Sequence, residues 1–301
     1  MSKVTDLSWQ WTSRHITVPP VGNLPEGRMV SLGSRGETYV TDTGAPHSRP
    51  DAPTLFLLHA LACTGALTWY PHIDALSERY RVITLDQRWH GQGIRSPRFR
   101  LEDCADDVAA VADAVQVDRF IVAGYSMGSL VSQLAWRRHP DRVSGAVLCA
   151  STPAFTKREH VPQTMRTVSH RVTKAVANRS NHAVQARPAS AAMDPDGRWA
   201  LEQFRRTTPA EITAAGAVIS TFDSRRWIGE MNVPAAVVVT SRDKLLPPSR
   251  QRWLARQIHG ATIYEADAGH SACVLRADVF RPALLAACAS VASRTASRGR
   301  Q

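Results

Sequence analysis

Residues Gly124-Tyr125-Ser126-Met127-Gly128 form a G-x-S-x-G pentapeptide, and their setting determines whether it can do chemistry. The apolar run Phe120-Ile121-Val122-Ala123 before it reads as a buried strand, and Ser129 to Trp136 after it reads as a helix. A strand that enters a helix through so tight a turn strains its central residue. Glycines two positions either side remove the side chains that would collide there. The Ser126 oxygen is then exposed at the carboxyl end of a sheet, at the start of a helix. The chemistry implied is nucleophilic attack by Ser126; the plainer alternative is an ordinary strand-to-helix turn.

A serine hydroxyl attacks poorly until a base takes its proton, and the base needs a third group to orient it. Both partners occur in the chain order serine, acid, histidine. Asp243 lies just past the strand-like run Val237 to Thr240, and His270 sits in Ala268-Gly269-His270-Ser271, after the next strand. Asp223 and Asp267 are alternative acids, and His59, His90 and His139 alternative bases. Acyl transfer also needs donors aimed at the oxyanion. The backbone N–H of Met127 is one candidate. The other is Leu61 N–H, in the loop His59-Ala60-Leu61-Ala62-Cys63, where His59 itself reads as a brace.

These residues need strands to place them. Short buried runs at 54–58, 81–85, 120–123, 146–150, 235–239 and 261–264 alternate with helical stretches, including 68–80, 102–115, 250–258 and 279–291. That rhythm predicts an α/β fold, a mostly parallel central sheet with helices on both faces. The runs either side of Gly33-Ser34-Arg35-Gly36 predict a hairpin. The rhythm breaks between 154 and 228, a polar stretch that reads as a helical cap inserted between two parts of the core, 28–153 and 229–291. Residues 1–27 form an N-terminal extension, and 292–301 read as a disordered basic tail. Tyr125, Trp199, Phe204, Phe222 and Trp227 are candidate walls of an apolar acyl pocket. The aromatics between 199 and 227 could equally serve to anchor the cap.

With 44% hydrophobic and 21% charged residues, the composition is globular. The net charge of +11 comes largely from dispersed arginine without a nucleic-acid-binding motif, which argues against nucleic acid as partner. Basic residues outnumber acidic ones more than twofold between Lys157 and Arg206, which leaves peripheral contact with an anionic lipid or an acidic substrate as an expectation. Five scattered cysteines without paired spacing give neither a zinc site nor a disulfide framework. No apolar run reaches membrane-spanning length and no secretory h-region stands at Met1 to Pro20, so a cytoplasmic location is expected. The chemistry requires neither metal nor organic cofactor.

Taken together, Leu57-Leu58-His59-Ala60-Leu61, Asp86-Gln87-Arg88-Trp89-His90-Gly91-Gln92-Gly93, the serine turn and the Asp243 and His270 loops resemble the α/β-hydrolase fold from about 28 to 290. The span 55–150 is similar to enol-lactone hydrolases, C–C bond hydrolases and monoacylglycerol-type lipases of that fold. Three positions depart from the family pattern: Ala60, Trp89 and Ser129 stand where glycine or a Gly-His sequence is usual. The resemblance implies a serine hydrolase that acts on a small-molecule ester, thioester or lactone through an acyl-enzyme. C–C bond cleavage or cofactor-free perhydrolysis by the same residues, and ligand binding without turnover, are the alternatives.

Overall fold

The computed structural model describes residues 18–155 and 194–298. Eight strands make one sheet: β1 Gly27–Ser31, β2 Glu37–Asp42, β3 Thr54–Leu58, β4 Arg81–Leu85, β5 Phe120–Tyr125, β6 Val143–Cys149, β7 Ala235–Thr240 and β8 Thr262–Ala266. Their spatial order is β1-β2-β4-β3-β5-β6-β7-β8. The β1–β2 and β2–β4 pairs are antiparallel, and every other pair is parallel. This is the mixed α/β sheet expected, with the predicted hairpin as its antiparallel edge.

The central strands are apolar along their length because both faces are covered. Successive side chains alternate sides, so Phe56 and Leu58 enter one core and Leu55 and Leu57 the other. On the first face pack α3 (Leu101–Ala114), α4 (Met127–Arg138) and α7 (Pro248–Gln257), through residues such as Val108, Leu130 and Leu254. On the second pack α1 (Gly65–Trp69), α2 (Ile73–Ser77) and α9 (Ala277–Arg298), through Trp69, Ile73 and Phe280.

Two expectations are corrected. A single helix over 68–80 is instead α1 and α2, because Pro71 between them has no amide to donate and its ring clashes with a continuing helix. The tail expected to be disordered from 292 is helical as far as Arg298. Its last turns have partners there: Arg294 donates to the carbonyls of Ala235 and Gly260 at 2.7 Å, and Thr295 to Ser144 O at 3.2 Å. Residues 299–301 lie outside the described residues, as do 1–17 of the N-terminal extension.

Of the cap expected over 154–228, residues 156–193 also lie outside the described residues. The described remainder holds two helices, α5 Pro195–Arg205 and α6 Pro209–Ile219, followed by a turn in which Asp223 bridges to Ala154. Both begin at side-chain caps, Asp194 to Gly197 N and Thr208 in a reciprocal capping box with Glu211. The cap is fastened to the loops at the carboxyl end of the sheet. Thr64 Oγ1 donates to Gln203 Oε1 at 3.0 Å, Gly91 N to Thr207 Oγ1 at 3.3 Å, and Arg95 pairs with Glu211.

Candidate active site

Ser126 follows the last residue of β5 and precedes α4. Its backbone stands at φ 53°, ψ −115°, a conformation that costs a non-glycine residue roughly 1–3 kcal/mol. Close packing holds it there. A Cβ on Gly124 would lie 2.2 Å from Gly128 O, and one on Gly128 would lie 2.1 Å from Leu58 O, so only glycine fits at either place. Ser126 N donates to Cys149 O of β6 at 3.0 Å, and Ser129 N returns to Ser126 O at 3.0 Å.

Three side chains from separate strand ends meet here. Ser126 Oγ is 2.9 Å from His270 Nε2, and His270 Nδ1 is 2.7 Å from Asp243 Oδ2. A carboxylate can only accept, so Nδ1 carries the proton. Nε2 is then left with a lone pair directed at the serine hydroxyl. Asp243 is itself held by four donors. Its Oδ1 accepts from Leu245 N at 2.9 Å and Leu246 N at 2.8 Å, and its Oδ2 from Thr240 Oγ1 at 2.8 Å and Gln251 Nε2 at 3.3 Å. Burial alone would raise its pKa, but His270 and these donors outweigh burial and hold the carboxyl below its ordinary range.

The other expected acids and bases are engaged elsewhere. Asp267 is exposed and paired with Arg242, and Asp223 is paired with Arg225. His139 bonds Asp106 at 2.9 Å on the helical face of the sheet. His59 accepts from Gln87 N at its Nε2 (2.8 Å), so its proton is on Nδ1, which donates to Ala60 O at 2.8 Å. It is a neutral brace, with burial and neighbouring His90 pushing its pKa well below the ordinary value. His90 is buried as well, donates through Nδ1 to Arg88 O, and is pushed down by burial to about 4.

The Met127 amide is the first of α4 and has no acceptor within the helix. Neither it nor the Leu61 amide donates to another described residue. Among the departures from the family pattern, Ala60 keeps a negative φ; the left-handed residue of that loop is Ala62, at 66°. Asp86 ties this loop down by accepting from Gly65 N and Gln92 N, both at 2.8 Å. Ser129 puts its hydroxyl 2.6 Å from Ser126 O and 2.7 Å from Ser151 Oγ, and Gln133 and Ser224 continue this fully buried polar chain. Trp89, at φ 63°, donates its indole N–H to Ser96 O and stacks near Phe99, 5.5 Å between centroids.

The expected pocket walls separate into groups. Tyr125 is a correction: it lies in the core beneath the site, 2% exposed, because alternation along β5 turns its side chain away from the cleft. Its ring meets Trp69 and Phe280 edge-on, and its hydroxyl donates to His270 O at 2.8 Å. Phe222 and Trp227 meet edge-on at 6.3 Å and pack on the body of the protein, where Arg137 stands over the Trp227 ring; they anchor the cap. Trp199 meets Tyr70 edge-on at 5.1 Å. It also lines a cavity of about 280 Å³ with Asp86, Gln92, Gln203 and Arg206, and neither Ser126 nor His270 lines that cavity. Phe204 is partly buried and packs against the buried cluster of Val18, Leu67, Tyr70, Ala200 and Val274.

Sequence reading passed over Thr240 and Gln251 as supports of Asp243. Gln251 lies on the buried stripe of α7 with Leu254 and Ala255, and a polar residue on an apolar helix face is the signal that could have found it.

The family model for the alpha/beta hydrolase fold matches residues 53–277, and the chain belongs to that family. It is a hydrolase. Over 223 residues it is 28% identical to the pimeloyl-[acyl-carrier protein] methyl ester esterase of Chromobacterium violaceum, covering 71% of this chain and 85% of that one. The enol-lactonase from Burkholderia xenovorans LB400 superposes with a TM-score of 0.68 at 24% identity, over 87% of this chain and 100% of that one. A thermophilic esterase from Thermogutta terrifontis gives 0.66 at 21% identity, over 88% and 99%. These two likenesses carry the fold. Among the described residues, no helix is long and apolar enough to cross a membrane.

Proposed function

We propose that this protein cleaves a carboxylic ester, thioester or lactone through an acyl-enzyme on Ser126. His270 takes the serine proton as Ser126 Oγ attacks the acyl carbon, then gives it to the departing alkoxide or thiolate. Asp243 keeps the imidazole in the required tautomer and stabilises the imidazolium. The N–H groups of Met127 and Leu61 receive the oxyanion. Water, deprotonated by His270, releases the acid and restores the serine. The observation that carries this reading is the continuous contact Ser126–His270–Asp243, at 2.9 and 2.7 Å, on a serine of positive φ.

The methyl ester in the name of the Chromobacterium violaceum relative supports an ester as substrate. The apolar cluster that holds Val274, four residues after His270, with Phe204 packed against it, supports an apolar acyl chain. Hydrolysis of p-nitrophenyl esters of increasing acyl length, with Ser126→Ala alongside, tests the reading. Turnover lost in the variant, with the fold retained, is the expected result; undiminished turnover in the variant would refute it.

A further inference from the structure

The peptide after Gly269 carries His270 on a short turn leading into α8 (Ala272–Leu275), and a histidine on a turn needs something to fix its height above the serine. Two buried side chains grip this turn from below. Tyr125 Oη donates to His270 O at 2.8 Å, and His72 Nε2 donates to Cys273 O at 2.7 Å. The tyrosine is the more telling of the two. It is the residue immediately before Ser126 on β5, so one rigid side chain spans from the strand that presents the hydroxyl to the carbonyl of the residue that takes its proton.

The ring has little freedom to do anything else. It is held edge-on by Trp69 at 6.4 Å and Phe280 at 5.3 Å, and its centroid lies 6.0 Å from that of the His270 ring. Burial pushes the phenol's pKa well above its ordinary value, so it remains a donor at neutral pH. A phenylalanine would fill the same apolar cage equally well, so packing does not account for the hydroxyl. That hydroxyl donates to the backbone of His270, and the Cys273 backbone of the same turn also faces its oxygen.

We infer that Tyr125 is a positioning residue for the reaction: through its hydrogen bond to the His270 carbonyl it sets the Ser126–His270 alignment. This rests on the acyl-enzyme reading above. Misplacement of reacting groups by ångström fractions is expressed in rate rather than in substrate affinity.

The test compares wild type, Tyr125→Phe, and a variant with para-aminophenylalanine at 125, which keeps a donor at the ring's far end. A fourth variant, Val147→Ala, loses packing in the same core from a different strand, β6, that carries neither Tyr125 nor His270. The readouts are the second-order rate of fluorophosphonate labelling, kcat and KM for a p-nitrophenyl ester, and the urea midpoint. The expected result is labelling and kcat about tenfold slower in Tyr125→Phe with KM within twofold, recovery with para-aminophenylalanine, and unchanged labelling in Val147→Ala. A Tyr125→Phe enzyme that labels at the wild-type rate would overturn the inference while leaving the acyl-enzyme intact. So would equal slowing in Val147→Ala, which would make the effect one of stability. If Tyr125→Phe does not fold, the para-aminophenylalanine variant decides alone: a wild-type rate upholds the donor's role and a slowed one rejects it. Wild-type protein without label on Ser126 would remove both readings.

Discussion

The two sides of the cleft are built on different terms. On the sheet side, every expected reacting group sits at a strand end and is held by several hydrogen bonds: Ser126 by β6 and by Ser129, Asp243 by four donors, and the His270 turn by Tyr125 and His72. On the cap side, α5 meets Tyr70 edge-on through Trp199, a few polar ties hold α5 and α6, and the described aromatics mostly fasten the cap to the body. The difference separates chemistry from choice of substrate. Mutations on the sheet side should act on kcat, and those on the cap side on KM or stability.

That separation can be broken at either end. Ser126→Ala should lower kcat for ester hydrolysis by on the order of 10⁴-fold or more while circular dichroism and the urea midpoint stay near wild type. Asp243→Asn should follow with a loss of about 10³-fold, because His270 would no longer be held in the tautomer that accepts the serine proton. An activity loss of under about tenfold there, measured by steady-state kinetics, would mean that the histidine is oriented by other means. Phe204→Ala, on the cap, should raise KM about tenfold for a medium-chain ester with kcat within about twofold. If it lowered kcat alone, the cap would belong to the catalytic side. Trp227→Ala should cost about 3 kcal/mol in urea denaturation and leave kcat/KM within about twofold.

How far such contrasts were legible in the sequence follows from their range. Buried strands such as Thr54–Leu58 and Ala235–Thr240 announce themselves as unbroken apolar runs, and the strand ends then place Ser126, Asp243 and His270. Contacts that join distant segments left no such trace. Tyr125 reads from the sequence as a pocket wall, whereas strand alternation sends it into the opposite core, against a residue 145 positions away. The last turns of α9 looked like a polar tail because their partners are backbone carbonyls of β6, β7 and the turn before β8, which no local pattern reveals. The cap aromatics were ambiguous for the same reason, since their contacts depend on how the cap is seated.

A last prediction concerns pH. His72 and His90 are buried and neutral, with burial pushing both to about 4, against an ordinary value near 6.5. Between those values the unfolded chain binds protons that the folded one refuses, so stability falls as pH drops from about 6.5 towards 4, by up to about 3 kcal/mol per histidine. Asp243 acts in the same direction at lower pH: its lowered pKa adds stability that is full above the ordinary carboxylate value and is lost as pH falls below it. Urea midpoints measured from pH 7 to 4 should therefore decline, and less steeply in His90→Asn, which keeps the bond to Arg88 O. A parallel decline in that variant would assign the acid sensitivity to other groups.

The central claim, a hydroxyl activated at Ser126 by His270, is most directly tested by fluorophosphonate labelling with the adduct mapped by peptide mass spectrometry. A single adduct on Ser126, formed by wild type and lost in His270→Ala, is the predicted result. An adduct elsewhere, or labelling of Ser126 that persists undiminished without His270, would contradict it.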